Sequence, residues 1–339
     1  MSSSNRAQGE LLPNGPNLTV GFLGHMPALL GGGGLEGHMR DLAAALSERG
    51  IVVVDVYKAE RERVDVLHAF STEPNVWHAL KNWSRNRCPL VVTPTLVLDR
   101  KGMAAVRMLS RTPIGVATSV SMRRDIIKRA DSLACLTHHE MAVSVRWLGA
   151  DSAKSFVLGN ASMVPAQPST HRVGEKPVLI VGAISERKRQ AEALRALAGS
   201  GRMIVAGQLA CGEKYEATFR QSLAYAGAGW VGHVERDELW EIQSQARALV
   251  LFSRAEGESL AVLDSLALGV PVLLSDIPTH RELHARYPSH VFLVKRAREL
   301  PSALSKATCL DANSPNPLIP TWHDVAERLA NSYSKVLRP

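Results

Sequence analysis

The chain is short of several things, and each shortage excludes something. Its 339 residues hold only four cysteines, Cys88, Cys135, Cys211 and Cys309, far apart from one another. That spacing gives neither a disulfide framework nor a cysteine metal site, and it suits buried thiols in a reducing cytosol. Aromatic residues make up 5%, and with no recognition motif beside them nucleic acid is not an expected partner. No apolar run reaches the roughly 20 residues of a membrane-spanning helix. The start, Met1 to Asn17, lacks an apolar signal core and reads as a flexible tail, residues 1–17. His138-His139-Glu140 has no partner at metal-ligand spacing, so no metal site is expected.

What is present is ordinary globular material, 45% hydrophobic and 21% charged, long enough for two domains. Apolar strand-like runs alternate with helical periodicity almost throughout, which predicts parallel sheets covered by helices on both faces. In the first half the expected strands begin at Leu18, Val52, Val64, Leu90, Ser132 and Ser155, and the expected helices at Leu35, Asn75, Ser119 and His138. Short apolar runs at Val106–Leu109 and Ile114–Ala117 have no clear assignment. Met163 to Glu175 has linker composition, and a second alternation follows it. Its expected strands begin at Val178, Met203, Gly229, Ala248, Val270 and Val291, with helices at Lys188–Leu197, Glu213–Ala226, Asp237–Gln245, Ser259–Leu268 and Thr279–Arg286. A last amphipathic helix runs from Trp322 to Leu337. The economical reading is two doubly wound domains, 18–165 and 166–320, with a terminal helical segment, 321–339.

The net charge is +8. Part of it is concentrated in Arg100, Lys101, Arg107, Arg111, Arg123, Arg124, Lys128 and Arg129, countered within that segment by Asp125 alone. Such a patch suits an anionic membrane face or a lipid-linked diphosphate; a solvated helix face explains it equally well.

The most informative stretch runs from Glu256-Gly257-Glu258-Ser259-Leu260 through Asp264 to Gly269-Val270-Pro271-Val272. One acid sits in the turn before a helix and another about a turn and a half inside it. The first turn of a helix carries unpaired N–H groups that favour an anion such as a diphosphate, here the amides at Ser259 and Leu260. Acids flanking such a site can hydrogen-bond the hydroxyls of sugars on either side. The glycine run Gly31-Gly32-Gly33-Gly34 precedes another helix, and its missing Cβ atoms let the backbone approach a phosphate. It has neither dinucleotide GxGxxG order nor a Walker loop.

These residues resemble the two-acid motif of retaining glycosyltransferases of the GT-B fold, family 4, also called glycosyltransferase group 1. That family usually has Glu-Gly-Phe-Gly-Leu, three more residues, then Glu; this chain has Glu258, Ser259 and Asp264 at the departing positions. The resemblance implies an α/β GT-B architecture, two Rossmann-like doubly wound domains facing a cleft, with the last helix crossing back to the first. It implies a cytoplasmic, metal-independent transferase with no cofactor beyond its nucleotide-sugar substrate. The acceptor would be a glycan or lipid-linked, with peripheral contact at the inner membrane face through Arg100–Arg129. Glu256 would hold donor-sugar hydroxyls and Lys188 the donor phosphates, both as catalytic groups. Gly33, Gly34, Arg187, Ser259, Leu260 and Asp264 would complete the donor site, Asp264 holding the ribose. The family's usual Arg is replaced by Ala183, with Arg187-Lys188-Arg189 resembling a variant pair, and its usual His by Thr95. His68 also resembles a frequent family position, although a strand-end His is more often structural. Two other readings stay open: a non-catalytic glycosyltransferase-like subunit, and a sugar-nucleotide epimerase.

Overall fold

The computed structural model describes residues 18–24, 34–57, 64–83, 88–110, 118–164, 176–309 and 317–338. The expected tail 1–17, Gly33 and Arg111 therefore lie outside the described residues.

Two six-stranded sheets organise the chain. The first is built from β1 (Thr19–Leu23), β2 (Val52–Asp55), β3 (Val66–Phe70), β4 (Leu90–Thr93), β5 (Ser132–Cys135) and β6 (Ser155–Val157), in the order β2-β1-β3-β4-β5-β6. The second is built from β7 (Val178–Val181), β8 (Met203–Ala206), β9 (Gly229–Trp230), β10 (Ala248–Leu251), β11 (Val272–Ser275) and β12 (Val291–Val294), in the order β12-β11-β10-β7-β8-β9. Every strand pair is parallel. Strands β3, β4, β5, β7, β10 and β11 are buried at every position, which is why they read as unbroken apolar runs.

Helices cover both faces of each sheet, so each sheet has two cores. On one face of the first sheet, α1 (Gly34–Ser47) packs Met39, Leu42 and Leu46 against Val20, Phe22 and Val66. The same core receives Trp322, Leu329 and Tyr333 of α12 (Trp322–Leu337), so the chain's last helix returns to the first domain. On the other face lie α2 (Pro74–Trp83), α3 (Arg100–Leu109), α4 (Ser119–Arg129) and α5 (His138–Val143), contributing Val76, Val106, Ile126 and Val143. The second sheet is flanked by α6 (Gln190–Leu197), α7 (Glu213–Ala226) and α11 (Leu300–Thr308) on one face. Helices α8 (Arg236–Ser244), α9 (Leu260–Ala267) and α10 (Pro278–Arg286) cover the other.

Several boundaries differ from the expectation for identifiable reasons. The run at Val106–Leu109 is the end of α3, whose N-cap Asp99 accepts the Gly102 N–H; Val106 is its buried residue. Helix α11 was not expected at all. The expected helix 138–148 keeps its first six residues as α5 and continues as a wider π turn, Ser144–Leu148, ended by left-handed Gly149. The helix expected from Lys188 starts two residues later, because Arg189 has a left-handed φ of 52° that no helix interior accommodates.

Candidate functional site

In open parallel sheets a ligand site forms beyond the strand C-termini, at the point where the strand order reverses. For the second sheet that point lies between β7 and β10, and the turns after these two strands carry Lys188 and Glu256. For the first sheet it lies between β1 and β3.

Glu256 sits at the centre. One carboxylate oxygen, Oε1, lies 3.1 Å from Lys188 Nζ and 3.1 Å from Arg187 Nη1, and accepts from Ser253 Oγ at 2.7 Å. Burial alone would raise its pKa, but Lys188 and then Arg187 outweigh it, with help from Ser253 and His280, and the group is held at about 2. Glu256 is therefore an ionised acceptor at neutral pH. Lys188 is buried over most of its length, whereas Arg187 is more exposed and also donates to the Ala255 carbonyl at 2.7 Å. The lysine lies across Gly182, whose φ is +121° and whose hypothetical Cβ would meet Nζ at 2.9 Å. Gly207, at φ +148°, must likewise lack a Cβ, which would collide with the Gly182 carbonyl.

Helix α9 begins beside this cluster, with Ser259 as its N-cap and no side-chain cap bond there. Its N-cap Ser259 and first residue Leu260 carry the two backbone amides assigned from the sequence to the donor. Leu260 reaches the first domain, where a Cβ on Gly37 would lie 3.8 Å from Leu260 Cδ1. Gly37 is in the first turn of α1, and Gly34 opens that helix in an exposed position. The N-terminal turns of α1 and α9 thus meet across the interface, and two helix dipoles point their positive ends into one region.

Asp264 is brought to the same helix but not to an open position. It is 3% exposed, with Oδ1 accepting from Ser162 Oγ at 2.6 Å and Oδ2 accepting from Trp240 Nε1 at 3.1 Å. Burial raises its pKa, while Ser162 and Trp240 pull it back down.

Sequence reasoning missed most of the polar contacts that join the domains. Glu258 is buried, accepts from Arg286 Nη1 at 3.0 Å, and accepts the Asn160 backbone N–H at 2.6 Å. The Asn160 amide answers by donating to the Glu258 carbonyl at 2.7 Å, and its oxygen lies 2.6 Å from His38 Nδ1. Glu282 of α10 accepts the His138 and His139 N–H groups at 2.9 and 2.7 Å, capping α5 from the other domain. Asp41 of α1 pairs with Arg236 of α8 at 2.6 Å. The one signal available beforehand was an acid at 258 where the resembling family carries an aromatic ring.

A cleft lies between the domains. Leu96, Leu98, Met103 and Val143 line it from the first domain, and Glu256, Ile277, Pro278 and Thr279 from the second. Glu140 also lines it, accepting the Leu96 and Leu136 N–H groups at 2.5 and 2.6 Å. Burial pushes this acid up to about 7 against those two bonds. Glu140 so fixes the loop containing Thr95, whose φ is +48°. His68 is not in the cleft. It is fully buried in β3 between Tyr333 Oη at 2.7 Å and Thr93 Oγ1 at 2.9 Å, a structural histidine that fastens α12 to the sheet. Among the described residues, no three His, Cys, Asp or Glu side chains come together as a metal site would require. Among them too, no helix is long and apolar enough to cross a membrane.

Comparison with known proteins adds to this geometry. Residues 166–306 match the family model described as glycosyl transferases group 1. No curated protein matches the chain by sequence. Among solved structures, sucrose-phosphate synthase from Thermosynechococcus elongatus superposes with a TM-score of 0.72 at 14% identity, over 95% of this chain and 99% of that one. Alr3699/HepE of Anabaena in complex with UDP-glucose gives 0.62 at 14% identity, over 94% of this chain and 97% of that one. WaaG, a glycosyltransferase involved in lipopolysaccharide biosynthesis, gives 0.60 at 16% identity, over 94% and 98%. Residues 166–306 are thus similar to group 1 glycosyl transferases, and the chain as a whole has the GT-B fold.

Proposed function

From this similarity to group 1 glycosyl transferases on a GT-B fold, we propose that this chain is a retaining glycosyltransferase that moves a sugar from a nucleotide-sugar donor to an acceptor. The observation that supports this most is the meeting of Glu256, Lys188 and Arg187 at the switch point of the second sheet, beside the α9 N-terminus. We assign residues 18–165 to the acceptor side, 166–320 to the nucleotide sugar, and 321–339 to the returning helix.

In this reading the donor diphosphate lies at the first turn of α9. Lys188, Arg187 and the amides of Ser259 and Leu260 stabilise the negative charge that grows as the diphosphate leaves. These groups are fixed before reaction, so little reorganisation is needed. Gly34, which opens α1, would face the same phosphates, and the sequence assigns Gly33 to the same role. Glu256, kept ionised by its two cations, accepts hydrogen bonds from donor-sugar hydroxyls. Asp264 takes the ribose hydroxyls. Cationic side chains and a helix terminus can neutralise the leaving group without a metal.

The acceptor is a glycan or a lipid-linked glycan, handled on the cytoplasmic side. Peripheral contact with an anionic membrane face would use α3 and α4. There Arg100, Lys101 and Lys128 are exposed, while Arg123 is already paired with Glu73 at 2.7 Å and Arg129 with Asp125 at 3.8 Å.

Incubation with UDP-glucose and other nucleotide sugars tests the proposal. The Anabaena neighbour is described with UDP-glucose, which makes it the first donor to try. Release of nucleoside diphosphate, with a product of unchanged anomeric configuration, supports the transferase. Epimerised donor supports the epimerase. Donor that is neither cleaved nor epimerised supports a non-catalytic subunit, a reading favoured by Ala183 in place of the usual Arg and by the occupied carboxylate of Asp264.

A further inference from the structure

Ser162 belongs to the segment that crosses between the domains. Its backbone N–H donates to the Pro320 carbonyl at 3.2 Å, and it bridges in parallel to Thr321, where the chain turns back into α12. The two interdomain crossings therefore touch at this residue. Its hydroxyl does something separate: it donates to Asp264 Oδ1 at 2.6 Å and accepts from the Val164 N–H at 3.2 Å. An alcohol at hydrogen-bond distance from that carboxylate has the chemistry of a ribose hydroxyl. Trp240 occupies the other oxygen, and Asp264 is 3% exposed, so the carboxylate has little room for a second alcohol while Ser162 is in place.

We infer that Ser162 is an internal competitor for the donor's ribose, its hydroxyl resting on Asp264 in the place that a ribose hydroxyl takes when the nucleotide binds. The inference rests on the proposed donor site and deepens it. Donor binding exchanges one alcohol for another on the same oxygen. The exchange frees the crossing from α9, so nucleotide occupancy is coupled to the place where the two crossings touch. Part of the binding free energy is then lost to breaking the Ser162 contact, and removing the hydroxyl returns it.

The test is calorimetric titration of wild type, Ser162→Ala and Ser162→Thr with UDP, GDP and ADP, and with their 2′,3′-dideoxy counterparts. Thermal unfolding first verifies that each variant is folded. For whichever base binds, Ser162→Ala should tighten the ribonucleotide about tenfold, equivalent to about 1.4 kcal/mol. It should leave the dideoxynucleotide unchanged, and Ser162→Thr, which keeps the hydroxyl, should match wild type. Equal or weaker ribonucleotide binding by Ser162→Ala overturns the inference and leaves the donor site standing. So does tightening that also appears with the dideoxynucleotide or with Ser162→Thr. If no form binds any of the three diphosphates, the proposed donor site itself falls, and the inference with it.

Discussion

Lys188 reaches from the turn after β7 to within 3.1 Å of Glu256, in the turn after β10. The two turns follow adjacent strands on either side of the switch point, so the sheet topology itself brings them together. The pairing keeps the carboxylate ionised and parks the ammonium beside the α9 N-terminus, where a diphosphate would draw on it. Lys188→Ala should therefore lower turnover about a hundredfold, the effect of about 3 kcal/mol on a barrier. The fold should survive, since Arg187 and Ser253 still partner Glu256. Steady-state release of nucleoside diphosphate measures this, and turnover at the wild-type rate would remove Lys188 from the mechanism.

The two acids of the motif should separate kinetically. Glu256→Gln keeps the shape and removes the charge, so turnover should drop more than donor affinity, because its sugar contacts matter most as the glycosidic bond breaks. Asp264→Asn should instead raise the donor dissociation constant by roughly tenfold to a hundredfold, since hydrogen bonds to a charged acceptor contribute about 1.5–3 kcal/mol. Calorimetry beside kinetics distinguishes the two patterns. Unchanged donor affinity in folded Asp264→Asn would assign that acid to the interdomain crossing alone.

Buried histidines make the protein acid-sensitive. Burial lowers His38 and His280 to about 4 and His68 well below its usual value. The unfolded chain takes up protons near pH 6.5 while the folded one does not, so stability is present above pH 6.5 and is lost as pH falls toward 4. Each fully shifted histidine contributes up to about 3 kcal/mol to that loss. Glu140, raised to about 7, works in the opposite sense, its contribution being full below about 4.5 and lost as pH rises through 7. Urea unfolding between pH 7 and 4.5 should show the histidine loss, and His38→Asn should flatten it. An unchanged slope in that variant would mean that His38 is protonated in the folded protein.

The parts of this architecture that could be read beforehand are those fixed by local pattern. Strands such as β7 and β10 are apolar at every position because helices cover both faces, and the glycine, acid and proline positions around α9 mark its ends. Helix α3 is not evident from the short run Val106–Leu109 alone, and the nine-residue α11 is not among the expected helices. The start of α6 was misplaced because nothing in Arg187-Lys188-Arg189 announces a left-handed arginine. At the candidate site, the α9 amides follow from the helix start, whereas Glu256 and Lys188 enter through the family resemblance. The contacts between domains were not legible. Asp41 and Arg236 are 195 residues apart and Glu258 and Asn160 are 98 apart, and complementarity across such distances leaves no local mark.

Tyr333 gives a prediction about stability without function. Its hydroxyl meets His68 Nδ1 at 2.7 Å in a fully buried place. Tyr333→Phe keeps the packing of α12 and strands one polar atom of the imidazole, which should cost about 1–3 kcal/mol. Turnover should stay as in wild type, because neither group reaches the cleft. Chemical denaturation and a kinetic assay on the same preparation check both halves.

The acid at 258 yields the sharpest contrast with the resembling family. Where that family carries an aromatic ring, this chain has buried Glu258 holding the Asn160 N–H of one domain and Arg286 of the other. Glu258→Phe would restore the family residue and should nevertheless harm this protein. It removes the acceptor of a buried N–H, costing about 1–3 kcal/mol, and it leaves Arg286 without its carboxylate. Arg286 is one-third exposed, so water takes up part of its loss, and its charge adds little to the total. The opposite truncation should cost more. Arg286→Met leaves a buried carboxylate whose pKa burial already raises, and losing one partner of a buried pair costs about 3–5 kcal/mol. Without Arg286 the pKa of that carboxylate should be raised further, so Arg286→Met should gain stability relative to wild type as pH falls. Glu258→Phe, with no carboxylate left to titrate, should show no such difference. Equal pH dependence in the two variants would mean that Arg286 is not what keeps the Glu258 carboxylate ionised.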